Sequence, residues 1–206
     1  MSLTFNIDSL DPGSRARACT IQLQRGTIQT PVFMPVGTFA TVKTLSAFDV
    51  ETLGAQIVLG NTYHLLMRPG AEVFKKLGGI HGFMNWKKPV LTDSGGFQLF
   101  CMPDSRKVKE DGAHFRSYVD GEKILLSPER SIEMQQAINS DIMMVLDECV
   151  PSTSPLSELK RAMELTHRWA LRSLNAHKHD HQNLFAIVQG GTNMELRKQS
   201  ADFLIQ

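Results

Sequence analysis

The sequence predicts an α/β protein of the (β/α)8 barrel type, on the strength of three observations. Short apolar runs recur along the chain, and each ends in a polar side chain, at 56–61, 89–93, 141–148 and 183–189. Continuous runs of this length, as opposed to alternating ones, are typical of parallel strands that are covered on both faces. Helical patterns lie between the runs, which is the order expected of a repeated βα unit.

The number of these units indicates an incomplete barrel. A closed eight-stranded barrel typically takes about 250 residues, whereas this chain has 206. A sixth helix is expected to begin near Met194. We predict that 32–206 form a partial barrel, and an open sheet is the alternative. The strands of about five βα units are expected to begin near Val32, Ile57, Val90, Ile142 and Leu184.

The first part of the chain, 1–31, is predicted to form a separate antiparallel element. Its hairpin has strands at about 18–24 and 27–29 around Arg25-Gly26. The first barrel strand follows at 32–36.

Two helices follow from capping signals. Ser46 is a favourable N-cap for a helix that runs through Leu53. Pro69-Gly70 precedes a second helix, and the glycines at 78–79 mark its end.

An antiparallel insertion is predicted after the third barrel strand, at about 101–126. Asp111-Gly112 and Asp120-Gly121 have the composition of hairpin turns between short polar strands. The cationic residues Arg106, Lys107 and Lys109 could contact RNA phosphates, but we interpret them as an exposed charged hairpin.

Two further helices begin with a serine followed by proline, at 127–128 and 154–155. The second carries an apolar stripe at helical spacing, which we interpret as core. The predicted stripe consists of Leu159, Met163, Ala170 and Leu174.

The histidine-containing tract at 177–181 follows this helix and is interpreted as a solvated loop.

The composition excludes a disordered or a fibrous protein. With 42% hydrophobic and 21% charged residues, the chain can build a sizeable core. No apolar stretch reaches membrane-spanning length and the first residues do not resemble a signal peptide, so we expect a cytoplasmic location. The net charge of +1 indicates no strongly basic surface. The odd number of widely spaced cysteines predicts reduced thiols: Cys19, Cys101 and Cys149.

The polar residues that end the strands are the candidate site. In a parallel barrel the chemistry lies at the carboxyl ends of the strands, so Asn61, Asp93, Asp147 and Gln189 are expected to converge there. Gly95 and Gly96 directly follow the loop of Asp93 and allow the backbone to approach a ligand closely. From the residues alone, two carboxylates would suit a barrel glycoside hydrolase.

Five ordered motifs resemble the tRNA-guanine transglycosylase (queuine tRNA-ribosyltransferase) family. The resemblance covers nearly the whole chain, which is similar to the N-terminal portion of the family. The motifs are GNTYHL at 60–65, LTDSGGFQ at 91–98, LLSPE at 125–129, LDEC at 146–149 and FAIVQGG at 185–191. The resemblance implies a (β/α)8 barrel with an N-terminal antiparallel element and a zinc-binding subdomain. It also implies the exchange of guanine at the tRNA wobble position for a 7-deazaguanine, preQ1 or queuine, through a covalent ribosyl-enzyme intermediate.

The resemblance assigns a role to each candidate residue. Asp93 matches the catalytic acid/base, and Asp147 matches the residue that accepts from the N1–H and 2-amino groups of the purine. Gln189 matches the donor to the purine O6, and Phe97 matches the aromatic residue that stacks on the flipped-out base. The remaining residues implied at the substrate are Ser94, Gly95, Gly96, Asn61 and Gln98, the last two near the ribose.

The resemblance also predicts what this sequence lacks. The family's nucleophilic aspartate, in a DxxxPTR-like segment, and its CxCxxC zinc ligands have no counterpart here. We therefore expect no cofactor in this chain, zinc in the missing C-terminal part, and no exchange by the chain alone. Unpaired strand edges predict a homo-oligomer or completion by a further segment.

Three functions remain open: the exchange enzyme, a non-catalytic RNA-binding partner subunit of such an enzyme, and the glycoside hydrolase. The expected partners of the first are tRNA and a guanine or 7-deazaguanine base, with no membrane. Cys149 after Asp147-Glu148 resembles the bacterial pattern and favours preQ1 as the incoming base.

Overall fold

The computed structural model describes residues 3–101 and 106–206. These residues form a mixed α/β structure with one five-stranded parallel sheet and two three-stranded antiparallel sheets. Contacts divide the chain into two compact units. The first unit comprises the described residues up to Thr92 together with 135–143 and 179–183. The second comprises the described residues of 93–134 together with 144–178 and 184–206.

The N-terminal sheet has three antiparallel strands in the order β1-β2-β3. The strands are β1 (Thr4–Leu10), β2 (Arg17–Leu23) and β3 (Gly26–Thr30). The hairpin predicted around Arg25-Gly26 is therefore confirmed. The sequence analysis missed β1, because every residue of this strand is exposed and none of its side chains marks a buried face.

The parallel sheet contains the runs that predicted it. Its order is β11-β10-β6-β5-β4, so β4 and β11 are its edges. The remaining strands of the described chain are β4 (Val36–Gly37), β5 (Val58–Gly60), β6 (Val90–Thr92), β7 (Arg106–Lys109), β8 (Gly112–Arg116), β9 (Lys123–Leu126), β10 (Ile142–Met144) and β11 (Asn183–Phe185).

The predicted first strand at 32–36 is wrong over most of its length. Only Val36 of this stretch belongs to β4. The prolines at positions 31 and 35 have no N–H group and cannot donate to a ladder, so pairing here is limited. The Pro35 carbonyl accepts from Leu59 N at 2.9 Å, which starts the ladder that β4 and β5 share.

The helices that were predicted from side-chain caps are present. Ser46 and Asp49 form a capping box at the start of α1, in which each side chain accepts from the other's backbone N–H. Three short helices, α2, α4 and α5, were not predicted, and none of them has a side-chain cap bond. The predicted helices α3 and α7 also lack one, and the N-cap position of α7 is Pro155, not Ser154. The helices are α1 (Ala47–Thr52), α2 (Thr62–Met67), α3 (Ala71–Lys76), α4 (Ile80–Met84), α5 (Gly96–Phe100), α6 (Pro128–Ile138), α7 (Leu156–Ala176) and α8 (Met194–Leu204).

The buried stripe of α7 differs from the prediction at its last residue. Leu174 is 59% exposed, whereas its neighbour Ser173 is fully buried. A stripe that faces a partner repeats about every 3.5 residues, so steps of four and three residues alternate. The predicted step of four residues after Ala170 was one too long. The buried positions that follow this alternation are Leu159, Met163, Thr166, Ala170 and Ser173.

Asp141 is the main buried charge of the first unit. Its carboxylate accepts from Arg25 Nη1 at 2.8 Å and from Val90 N at 2.9 Å, and His81 Nε2 lies 3.1 Å from Oδ2. Burial opposes ionisation, but the bonds from His81, Arg25 and Val90 outweigh it and lower the pKa of Asp141. The ionised carboxylate therefore joins β6 to the N-terminal element.

The antiparallel insertion is confirmed as β7, β8 and β9 in sequence order. Alternation along its strands buries Ala113, Phe115 and Ile124 and exposes Lys107 and Lys109. Arg106 differs from the prediction, because it shares the inward alternation and is half-buried. Its guanidinium carbon lies 5.6 Å from the centre of the Phe100 ring.

The tip of the β7–β8 hairpin is bound to α7. Trp169 Nε1 donates to the Glu110 carbonyl at 3.0 Å, and Arg172 donates to the carbonyls of Glu110 at 2.7 Å and Asp111 at 3.2 Å. Arg172 also forms a two-bond ion pair with Glu129 on α6, at 2.7 and 2.8 Å. This pair lowers the pKa of Glu129 to about 2.

None of the helices in the described part of the chain is long and apolar enough to cross a membrane.

Candidate active site in the second unit

The loop after β6 holds the Asp93 carboxylate through its own residues. Asp93 Oδ1 accepts from Gly95 N at 3.2 Å, and Oδ2 accepts from Gln98 Nε2 at 2.7 Å. Gly95 has a φ of 88°, in the left-handed region that favours glycine, and it begins α5 directly. Asp93 is half-buried, so its carboxylate is oriented by the loop and still accessible to a ligand.

Ser94 connects this loop to Asp147. Its Oγ donates to Asp147 Oδ1 at 3.1 Å and accepts from Gly96 N at 3.1 Å. The Ser94 carbonyl accepts from Ser131 Oγ, on α6, at 2.8 Å. Ser94 is buried and joins the loop after β6 to Asp147.

Asp147 is a buried carboxylate surrounded by donors. Its Oδ2 accepts from Gln189 Nε2 at 2.9 Å and from Cys149 Sγ at 3.3 Å, in addition to the bond from Ser94. Burial raises the pKa of Asp147, and the donors only partly offset this effect. Burial and the neighbouring Asp147 charge raise the pKa of the Cys149 thiol, which therefore stays protonated as a donor.

Gly96 allows α5 to begin directly against Asp147. A Cβ at this position would lie 2.6 Å from both the carbonyl oxygen and Oδ1 of Asp147. This separation is too short for any side chain at position 96. Glycine at position 96 is therefore required by the close packing of Asp147, a contact that the sequence analysis did not predict.

Residues of α7 form hydrogen bonds with the loop that carries Asp147. Glu148 N donates to Thr166 Oγ1 at 3.0 Å. The two terminal nitrogens of Arg161 donate to the two carboxylate oxygens of Glu148, both at 2.8 Å. The sequence analysis missed Arg161 and Thr166, although the adjacent acidic pair at 147–148 was a signal that one of the two carboxylates needs a cation.

The structure bonds Asp147 to Gln189 and, through Ser94, to the loop that carries Asp93. Phe97 is 60% exposed near the start of α5, with its ring 6.1 Å from that of Phe100. Asn61 lies in the first unit, where it is buried as the N-cap residue of α2. A cavity next to the buried carboxylate is lined by Gly96, Leu99, Arg106, Asp147, Cys149 and Trp169.

The described residues do not fit a zinc ion. Within 3–101 and 106–206, no group of three or more His, Cys, Asp or Glu side chains is placed to hold a metal. The tract at 177–181 lies in the loop between α7 and β11, as predicted.

Comparison with known proteins identifies the family. A family model described as Queuine tRNA-ribosyltransferase matches residues 11–206. A protein of Halothermothrix orenii named queuine tRNA-ribosyltransferase is 48% identical over 205 residues, which is 100% of this chain and 55% of the relative. Relatives of the same name from Shouchella clausii and Halalkalibacterium halodurans are 53% and 50% identical, over 93% and 97% of this chain and 51% and 53% of their own length.

This chain thus spans about half the length of the curated relatives that it matches. The match covers both units of the structure and includes every residue of the Asp93, Asp147 and Gln189 cluster. The chain belongs to the queuine tRNA-ribosyltransferase family.

Proposed function

We propose that this chain supplies the base-reading and proton-transferring part of an enzyme that exchanges guanine at the tRNA wobble position for a 7-deazaguanine. The observation that carries the proposal is the buried Asp147 carboxylate, bonded to Ser94 and Gln189 beside the accessible Asp93. A buried carboxylate with a raised pKa marks a candidate functional site, because the burial that raises its pKa disfavours its charged form.

Asp147 has the chemistry to read guanine. The purine presents two neighbouring donors, N1–H and the 2-amino group, and an ionised carboxylate can accept both in a two-bond arrangement. Without a bound base, protein groups donate to the Asp147 carboxylate in place of the purine, and Gln189 Nε2 is one of these donors. When the purine takes over as donor to Asp147, the Gln189 amide is released to donate to the purine O6. Binding therefore exchanges hydrogen-bond partners and leaves few buried groups unsatisfied.

Asp93 is the proposed acid/base. Breaking an N-glycosidic bond requires a proton for the departing base, and the incoming base must lose one. The bond from Gln98 orients the carboxylate, so Gln98 contributes through Asp93 as well as near the ribose. The exposed Phe97 ring is the proposed stacking surface for the flipped-out base, a contact worth about 1–3 kcal/mol. We propose that Gly95 forms part of the wall of the site.

The test is guanine binding followed by exchange. Calorimetry with the 206-residue chain is expected to show binding of guanine and at least about tenfold weaker binding of adenine, which lacks the matching donors and O6. A chain that binds tRNA but no purine would instead support the partner-subunit alternative. Release of a sugar from a glycoside would support the hydrolase.

Exchange of radiolabelled guanine into tRNA is expected to be undetectable with this chain alone, because none of its residues matches the family's nucleophilic aspartate. Turnover, or a covalent adduct with tRNA, would contradict this and would make a residue of this chain the nucleophile. Zinc takes no part in any step that we derive. We infer preQ1 as the incoming base, because Cys149 after Asp147-Glu148 resembles the bacterial sequence pattern.

We further propose that the parallel sheet is completed into the barrel implied by the resemblance. β4 and β11 are edge strands among the described residues, and Phe33 and Val36 near β4 are 81% and 51% exposed. Open edges and apolar side chains of this kind favour pairing with further strands. The strands would come from a longer polypeptide, since the relatives are about twice as long, or from a second copy.

This proposal predicts that the isolated chain associates. Light scattering at increasing concentration is expected to show dimers or larger species, and Phe33→Ser combined with Val36→Lys is expected to reduce them. A charge change outside both edge strands, Lys198→Glu on α8, serves as the control. A chain that is monomeric at all concentrations would exclude completion by a second copy.

We also propose a cytoplasmic location, where tRNA is found. The three cysteines, Cys19, Cys101 and Cys149, are unpaired, which is typical of a reducing compartment.

A further inference from the structure

Behind Gln189 lies a second row of hydrogen bonds that the proposed chemistry does not use. Ser200, a fully buried residue of α8, accepts from Gln189 N at 3.0 Å. His167, a buried residue of α7, places Nε2 2.9 Å from the same Ser200 hydroxyl oxygen. Since the Gln189 side chain donates to Asp147, one continuous chain of bonds joins His167, Ser200, Gln189 and Asp147.

The direction of each bond follows from the groups. The backbone N–H of Gln189 can only donate, so it uses a lone pair of Ser200 Oγ. The hydroxyl proton is then available for His167 Nε2, which accepts when the imidazole is neutral and carries its proton on Nδ1. Burial lowers the pKa of His167, and this effect outweighs the attraction of Glu164. The charge of Arg168 acts in the same direction as burial. The His167 ring is also stacked on Phe203, with ring centres 4.2 Å apart and planes within 7°.

The backbone beside Gln189 is packed directly on α8. A Cβ at Gly190 would lie 2.8 Å from Arg197 N and from Leu196 Cβ, so only glycine permits this approach. The Gly190 carbonyl accepts from Asn193 N at 3.0 Å, and the Asn193 side chain caps α8 by accepting from Leu196 N at 2.9 Å. The loop after β11 is thus attached to α8 by a backbone contact, a cap and the Ser200 hydroxyl.

We propose that Ser200, oriented by His167, is a positioning residue that fixes the Gln189 backbone and thereby determines how well the site recognises the O6 of a purine. The O6 part of this inference rests on the proposed function. Binding requires the Gln189 amide to move from Asp147 to O6, and a fixed main chain limits that movement to the side-chain torsions. Ser200 therefore acts on the part of the purine that distinguishes guanine from purines without O6.

The first test is amide hydrogen exchange at Gln189 in the complete chain. Ser200→Ala removes the acceptor of this N–H and is expected to accelerate its exchange by about tenfold, as expected for losing one hydrogen bond. Ser173→Ala is the matched control, because Ser173 is also a fully buried serine and its Oγ has no hydrogen-bond partner among the described residues. The control is expected to leave the Gln189 amide unchanged. Equal exchange in both variants would overturn the proposal.

The second test is purine discrimination. Ser200→Ala is expected to weaken guanine binding by about tenfold and to leave 2-aminopurine, which lacks O6, unaffected. Ser200→Thr keeps the hydroxyl and is expected to retain most of the guanine affinity. Equal losses for the two purines, or none, would overturn the O6 role.

A second variant covers the case in which Ser200→Ala fails to fold. His167→Phe keeps a flat ring against Phe203 and removes both ring nitrogens, including the Nε2 acceptor of the Ser200 hydroxyl, so it is expected to produce smaller changes in the same direction. No change at the Gln189 amide in this variant would overturn the part assigned to His167. If the unsubstituted chain binds no guanine, the proposed function fails, and amide exchange at Gln189 still decides the positioning role.

Discussion

Asp147→Asn is expected to weaken guanine binding by about a hundredfold or more and, at the same time, to stabilise the folded chain at neutral pH. The loss of affinity follows because hydrogen bonds to a charged group contribute about 1.5–3 kcal/mol each, and the purine would lose two of them. The gain in stability follows because the raised pKa of Asp147 reflects the cost of burying its charge, which asparagine does not carry. Calorimetry and thermal unfolding of the same sample measure the two effects.

The raised pKa of Asp147 determines how the stability difference between the two chains changes with pH. The folded chain binds the Asp147 proton more tightly than the unfolded chain, so the cost of the ionised carboxylate is present above the raised pKa and disappears as the pH falls toward the unfolded value. The stability advantage of the asparagine variant is therefore expected to shrink in acid. Guanine affinity of the unsubstituted chain should fall over the same range, as the acceptor becomes protonated. Unaltered guanine affinity in the variant would require another role for Asp147.

Asp141→Asn is expected to have the opposite effect on stability, a loss of about 3–5 kcal/mol at neutral pH, the range for breaking a buried ion pair. The substitution leaves Arg25 and His81 facing a neutral group in a buried place. The pKa of Asp141 is lowered in the folded chain, so the carboxylate stabilises it above the unfolded pKa and this contribution is lost as the pH falls through the folded value. Urea unfolding at several pH values measures the difference.

The control for Asp141 is Asp202→Asn. Asp202 pairs with Lys198 at 2.6 Å on the surface of α8, where such pairs contribute less than about 1 kcal/mol. Equal losses for the two variants would show that Asp141 contributes no more than an ordinary surface charge.

The sequence predicted the parallel sheet and the residues at its carboxyl ends because both depend on local patterns. A continuous apolar run followed by a polar residue predicted β6 and the position of Asp93 directly after it, whereas β10 and β11 end at Met144 and Phe185, so Asp147 and Gln189 lie in the loops beyond them. The first strand was misplaced because the prolines at 31 and 35 interrupt pairing within an otherwise apolar run. In β1 only Phe5 and Ile7 alternate with polar residues and neither is buried, so this strand was missed, and the glycines before α4 and α5 are more typical of turns.

The supporting residues of the site could not be predicted in this way. Arg161 and Ser200 lie on helices, 13 and 11 residues along the chain from Glu148 and Gln189, and nothing next to them in the sequence indicates a partner. An arginine on an amphipathic helix is typically solvated, and a serine on such a helix typically contacts water. Only the packing of α7 and α8 against the loops converts Arg161 and Ser200 into hydrogen-bond partners of residues 148 and 189.

The β7–β8 hairpin differs from a typical inserted hairpin, because its tip is bonded to α7. A hairpin tip normally has carbonyls that face water, and it accepts added residues readily. Here the carbonyls of Glu110 and Asp111 are already bonded to Arg172, so lengthening this tip would break an anchored contact. The β8–β9 turn has no such anchor at Gly121, where an added Cβ would meet no atom within 4 Å. A peptide tag or fluorescent label therefore belongs at the second turn, about position 121, where the bonds to α7 are left intact.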